Sequence, residues 1–210
     1  EVLIKSARGH TAEDVLRSSE MIKTAGFSLV LQMMTGLPGE TEESCLRSAE
    51  RLIALQPDAV RIYPTVVLRH PPLYDALLRG EYREHSVEEA VSLCARLLPL
   101  FEAAGIPVIR LGLNPTEELS GGEAVGGAYH PALGELVYSR CRRNECEALL
   151  QGAEEGSRVS IFVPATLLSQ YIGQKRCNVL WLQEKFRLRE LKIRPNLPDS
   201  EEKVRIVIAK

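Results

Sequence analysis

Through the first 113 residues, apolar runs of strand length alternate with capped amphipathic helices. That alternation constrains the fold more than any other feature of the chain. Thr11-Ala12-Glu13-Asp14 and Ser86-Val87-Glu88-Glu89 have the capping-box form, in which a hydroxyl and an acid three residues on satisfy each other's backbone donors. After Thr11, apolar residues recur at Ala12, Val15, Leu16, Ile22 and Ala25, a helical period that Gly26 ends. Residues 27–34 are apolar except at Ser28 and Gln32, which predicts a buried parallel strand. The tight turn Gly36-Leu37-Pro38-Gly39 follows. Next comes a helix capped by Thr41, with Cys45, Leu46, Ala49, Leu52 and Ile53 on its inner face. Residues 59–68 read as a strand interrupted by Pro64, and 69–85 as a long connection with a helical turn near 73–78. A helix runs from Ser86 to Ala103, Gly105 stops it, and 107–113 is a third strand. This order argues for a parallel α/β architecture with its strand-to-helix loops gathered on the face where ligands bind.

The remainder differs. Gly121, Gly122, Gly126 and Gly127 predict a loose stretch, 133–141 and 146–150 two short helices, and 154–157 a linker. From residue 158 the pattern is strand, short helix, turn, helix and two strands. Of the 210 residues 45% are hydrophobic and 26% charged, ordinary globular usage. With 26 Lys and Arg against 28 Asp and Glu, the net charge is −2, so nucleic acid would need a local patch. No apolar run approaches the roughly 18 residues of a membrane span. Five scattered cysteines fit a reduced compartment, and a chain opening on Glu1 without a basic-then-apolar leader is expected to be cytoplasmic and a fragment.

Few residues stand out chemically. Arg8, in Arg8-Gly9-His10-Thr11 ahead of a helix start, is either a carboxylate clamp or a solvated arginine. Gln32, inside an apolar strand, needs a partner, either a ligand or neighbouring backbone. Cys141 and Cys146 have no second ligand pair nearby beyond His130, so no metal site is expected. Cys45 and Cys94 lie on apolar helix faces and Cys177 beside a turn. His10, His70, His85 and His130 lack metal-binding spacing, no serine sits in a nucleophile elbow, and no catalytic residue is assigned. Gly173-Gln174-Lys175-Arg176 places two cations on a turn, a nucleic-acid grip or a solvated connection.

Six motifs in one order and spacing carry a resemblance. They are Arg8-Gly9-His10-Thr11, Gly36-Leu37-Pro38-Gly39, Ile62-Tyr63-Pro64-Thr65, Leu73-Tyr74, Gly80-Glu81-Tyr82 and Glu88-Glu89-Ala90-Val91. The set resembles the second half of a radical S-adenosylmethionine (SAM) domain of the elongator catalytic-subunit family. Tyr129-His130-Pro131 and Gly134-Glu135-Leu136-Val137 resemble a bacterial subgroup of it. His70-Pro71-Pro72 departs from the Gly-Thr-Glu usual there. The resemblance implies an α/β fold. Residues 1–113 would be the C-terminal half of a partial (β/α)6-type barrel, 114–157 an irregular, partly helical extension and linker, and 158–210 a small α+β module.

In this family a [4Fe–4S] cluster on a Cys-x3-Cys-x2-Cys motif reductively cleaves SAM to a 5′-deoxyadenosyl radical, the thiolates suiting iron. This chain has no such motif, so the cofactors implied are SAM and a cluster whose ligands lie upstream. The chain alone is expected to be inactive. By likeness to the related coproporphyrinogen dehydrogenases, Arg8 would meet SAM polar groups, Gln32 its nucleoside and Val66 its adenine, although Gln32 replaces an acid of that branch. The tail resembles a KH module whose Gly-x-x-Gly loop holds RNA backbone, with Gly173, Lys175 and Arg176 as contacts and the second glycine missing. A tRNA-like substrate is expected, and no membrane. The competing reading is a cluster-less RNA- or protein-binding module. Porphyrin chemistry ranks below both, because fold likeness carries no substrate.

Overall fold

The computed structural model describes residues 1–69, 72–116, 119–196 and 204–209. Its elements are α1 (Val2–Lys5), α2 (Ala12–Thr24), β1 (Val30–Thr35), α3 (Glu42–Ala54), β2 (Ala59–Pro64), β3 (Val66–Leu68), α4 (Pro72–Leu78) and α5 (Val87–Ala103). After these come β4 (Val108–Leu111), β5 (Ala124–Gly127), α6 (Leu133–Leu149), β6 (Arg158–Val163), α7 (Leu168–Ile172), α8 (Cys177–Lys185), β7 (Glu190–Pro195) and β8 (Arg205–Ala209). The chain divides into two compact units, Glu1–Gly134 and Glu135–Lys210.

In the first unit the capping boxes form at Thr11, Thr41 and Ser86, each with both reciprocal bonds. Strands β1, β2 and β4 make a parallel three-stranded sheet in the order β1-β2-β4. Helices α3 and α5 pack against each other and against its edge strands. Met33, Val60 and Ile62 are buried, as are Cys45 and Ala49 of α3 and Leu97, Leu98 and Phe101 of α5. The alternating partners Val30, Gln32, Ala59, Arg61 and Tyr63 share the opposite face of the sheet. Val30 and Gln32 there are exposed, so β1 is covered on one face and not, as expected for a buried parallel strand, on both.

The expected strand over 59–68 is two. Pro64 lacks a ladder N–H, and beyond it Val66–Leu68 turns away to pair antiparallel with β5. The glycine-rich stretch thus supplies a strand. The departure at His70-Pro71 lies outside the described residues.

The second unit has a three-stranded sheet in the order β7-β6-β8, with β6–β7 parallel and β6–β8 antiparallel. Residues 133–149 form one helix where two were expected. Between Glu135 and Leu149 there is no Gly or Pro, and polar residues such as Arg142, Arg143 and Asn144 break apolar periodicity without breaking a helix. Its Cys146, with Leu150, shares a core with Val159, Ile161, Val163, Tyr171, Leu182 and Leu191. The unit boundary therefore falls at 134/135, because α6 closes the core of the tail.

Candidate functional site

The carboxyl ends of β1 and β2 meet beside the Gly36–Glu40 turn. Gly36 and Gly39 take φ of +77° and +74°, where glycine is favoured. A Cβ on Gly36 would sit 3.2 Å from the His85 ring. The Glu40 carboxylate accepts from the Gly36 N–H at 2.7 Å and the Leu37 N–H at 3.3 Å. Burial raises the Glu40 pKa, against the pull of those donors. The Tyr82 hydroxyl donates to the Gly36 carbonyl at 2.7 Å, and burial, then the Glu84 and Glu40 charges, push it up to about 12. It therefore stays a donor at every physiological pH. The Thr65 N–H and hydroxyl both donate to the Thr35 carbonyl, at 2.8 and 2.7 Å. Glu84 accepts from the Gly127 N–H, and the Ala128 N–H donates to Thr65 at 3.1 Å. Four segments are thus tied into one rigid rim.

The expected SAM contacts sit apart along this unit. Arg8 is exposed in the loop after α1, its N–H donating to Leu3 at 3.0 Å. Gln32 lies exposed at mid-β1, opposite Arg61 in register. Val66 opens β3 opposite Gly127 and is half-buried. No hydrogen bond joins the three among the described residues. Sequence reasoning missed Glu40 and gave no role to Thr65 or Tyr82, although both stand inside quoted motifs. It also passed over Arg61 and Arg110, whose signal was a charge flanked by apolar residues within a strand.

In the second unit, Gly173 is buried with φ +75°, and a Cβ there would lie 2.6 Å from Cys177 Sγ and 3.0 Å from Asn178 Cγ. Lys175 and Arg176 are exposed and both left-handed, at φ 50° and 64°. Arg176, the N-cap of α8, takes the conformation that the missing second glycine would adopt freely. Buried Asn178 braces the turn, its amide donating to Ser139 O and Gln170 O at 3.0 Å and to Tyr171 O at 3.2 Å.

A [4Fe–4S] cluster does not fit this chain. Among the described residues no group of three or more His, Cys, Asp or Glu could hold a metal ion. Cys45, Cys94 and Cys146 are buried. Burial pushes the Cys45 thiol well up, Glu40 adding to it, and raises Cys146 to about 12, away from the thiolate that iron needs.

Residues 57–143 match the Radical_SAM C-terminal domain. A tRNA uridine(34) acetyltransferase of Methanocaldococcus jannaschii is 28% identical over 141 residues, covering 66% of this chain and 25% of that protein. The Elongator complex protein 3 of Mus musculus is 30% identical over 141 residues, 64% of this chain and 24% of that protein. Over these residues the chain is similar to radical SAM proteins of the Elongator protein 3 kind. The archaeal Methanocaldococcus infernus Elp3 with an N-terminal deletion superposes with a TM-score of 0.58 at 25% identity, over 74% of this chain and 36% of that one. The radical SAM C-terminal domain thus includes the Tyr82 and Thr65 ties of the rim, and the chain spans about a quarter of the length of the curated relatives it matches.

Proposed function

We propose that this chain is the C-terminal, binding portion of a radical SAM enzyme acting on tRNA: its first unit lines the SAM pocket and its tail holds RNA. The observation that carries the reading is the sheet face that α3 and α5 leave open, with Gln32 on it and the Gly36 rim at its strand ends. Ligands of open parallel sheets lie at the carboxyl ends of the strands. In the complete enzyme a bound cluster would supply the electron for reductive cleavage of SAM. The part assigned to this chain is to bind and orient. The Gln32 amide offers a donor and an acceptor to the nucleoside, Arg8 a fork for a carboxylate, and Val66 an apolar neighbour for adenine.

The RNA reading rests on the tail. A KH-like arrangement is supported by two helices joined through the buried Gly173 and followed by a strand parallel to the first. Lys175 and Arg176 supply the charge that backbone phosphates need. The name of the archaeal relative, a tRNA uridine(34) acetyltransferase, supports tRNA as the substrate class. The test is a tRNA mobility shift with the whole 210-residue chain, repeated on the K175Q/R176Q double variant. Retarded tRNA that the double variant releases supports the reading, and unretarded tRNA at micromolar chain removes it. The same chain, reduced with iron, sulfide and SAM, should release no 5′-deoxyadenosine. The competing reading is a cluster-less binding module, which retarded tRNA with no SAM binding would select.

A further inference from the structure

The parallel ladder places Gln32 opposite Arg61, and Arg61 opposite Arg110, so the three form one row across β1, β2 and β4. The row is on the face opposite buried Val60 and Ile62, and Arg110 is exposed on it. The register shift between Val60 and Arg61 brings this about. Val60 pairs with Val108, and the extra Ile109 then lets Arg61 meet Arg110. Adjacent strands are about 4.8 Å apart, and like charges directly opposite each other destabilise a sheet. Arg17, Arg79, Arg83 and Arg96 of this unit each meet a carboxylate. Arg61 and Arg110 meet none among the described residues. An uncompensated guanidinium pair is a site for a multi-oxygen anion.

One step toward the rim, Met34 stands opposite Tyr63 on the same face. Two residues along a strand span about 6.6 Å, close to the distance from a nucleotide's phosphate to its base. Tyrosine and methionine offer a base a stacking surface, which a methionine carboxylate would not use.

We infer that Arg61 and Arg110 bind a phosphate of the RNA substrate on the open sheet face, with Tyr63 receiving the adjoining base. This rests on the RNA reading above and adds to it a second contact, in the first unit. The test titrates the whole isotope-labelled chain with inorganic pyrophosphate, a 5′-phosphorylated RNA hexamer and SAM. It follows backbone amides in wild type, R61Q, R110Q and R176Q. Pyrophosphate and the hexamer should shift amides of β2 and β4, and R61Q and R110Q should each weaken both by about tenfold, 1.4 kcal/mol. R61K and R110K should recover part of the loss, and thermal midpoints should not fall, since repulsion is relieved. Hexamer binding lost only in R176Q, with pyrophosphate silent, would overturn this inference and leave the RNA reading standing. Binding of neither phosphate probe would remove both. Shifts of β2 and β4 with SAM alone that R61Q and R110Q abolish would reassign the arginine pair to a carboxylate and overturn the inference.

Discussion

The two units handle their sheets differently. In the tail, α6, α7 and α8 pack with the β7-β6-β8 sheet to enclose Val159, Ile161, Val163, Tyr171 and Leu182, all nearly fully buried. In the first unit, α3 and α5 bury Met33, Val60 and Ile62, while the other face carries Gln32, Arg61 and Arg110. A closed core serves stability and confines chemistry to a surface turn. A face that no helix covers gives up burial and leaves Gln32 and Arg110 exposed. The RNA contact proposed for the tail is accordingly a left-handed turn on a firm body, and the site proposed for the first unit is the sheet itself.

The comparison breaks most visibly at the cores. Leu182→Ala should cost the tail about 2–5 kcal/mol, and Ile62→Ala the first unit a similar amount. Urea unfolding followed by tail-specific Trp181 fluorescence and by amides of β1 and β2 should show each loss in one transition only. A single shared shift would merge the units.

The next effect is at the rim. Gly127→Ala places a Cβ 2.5 Å from the Thr65 carbonyl at φ +82°, and should cost roughly 1–3 kcal/mol in the first unit's melting. Arg176→Gly sharpens the contrast from the other side. Removing a left-handed side chain should raise the tail's stability by about 0.5–1 kcal/mol while tRNA retention falls, a split that simple damage would not give.

The smallest effect is on acid stability. The Ser86 N–H, then the Arg83 side chain and the Ser86 hydroxyl, hold Glu89 down to about 2, from 4.5. A depressed carboxylate contributes stability that is full above 4.5 and is lost as pH falls toward 2. Glu89→Gln should flatten that part of the stability profile, and an unchanged slope would show that other carboxylates set it.

Local signals were legible in the sequence. The caps at Thr11 and Ser86, the Gly36 turn and the tail's element order all follow from neighbours within a few residues. What escaped was set by distant pairing. Tyr82 reaches Gly36 across 46 residues, and β3 finds β5 rather than extending β2. Gln32 read as buried because apolar neighbours surround it in sequence, yet alternation puts it on the open face. The Arg61–Arg110 pair depends on one extra residue in β4, which no periodicity shows. Helix α6 was divided at its polar run, where only a Gly or Pro would have ended it.

The measurement that tests the account most directly is hydrogen exchange on the whole chain with and without tRNA. The account predicts tRNA-dependent protection at two places, the Gly173–Arg176 turn and strands β1, β2 and β4, with α3 and α5 unchanged. Protection in neither place, or on the helical face alone, would contradict it.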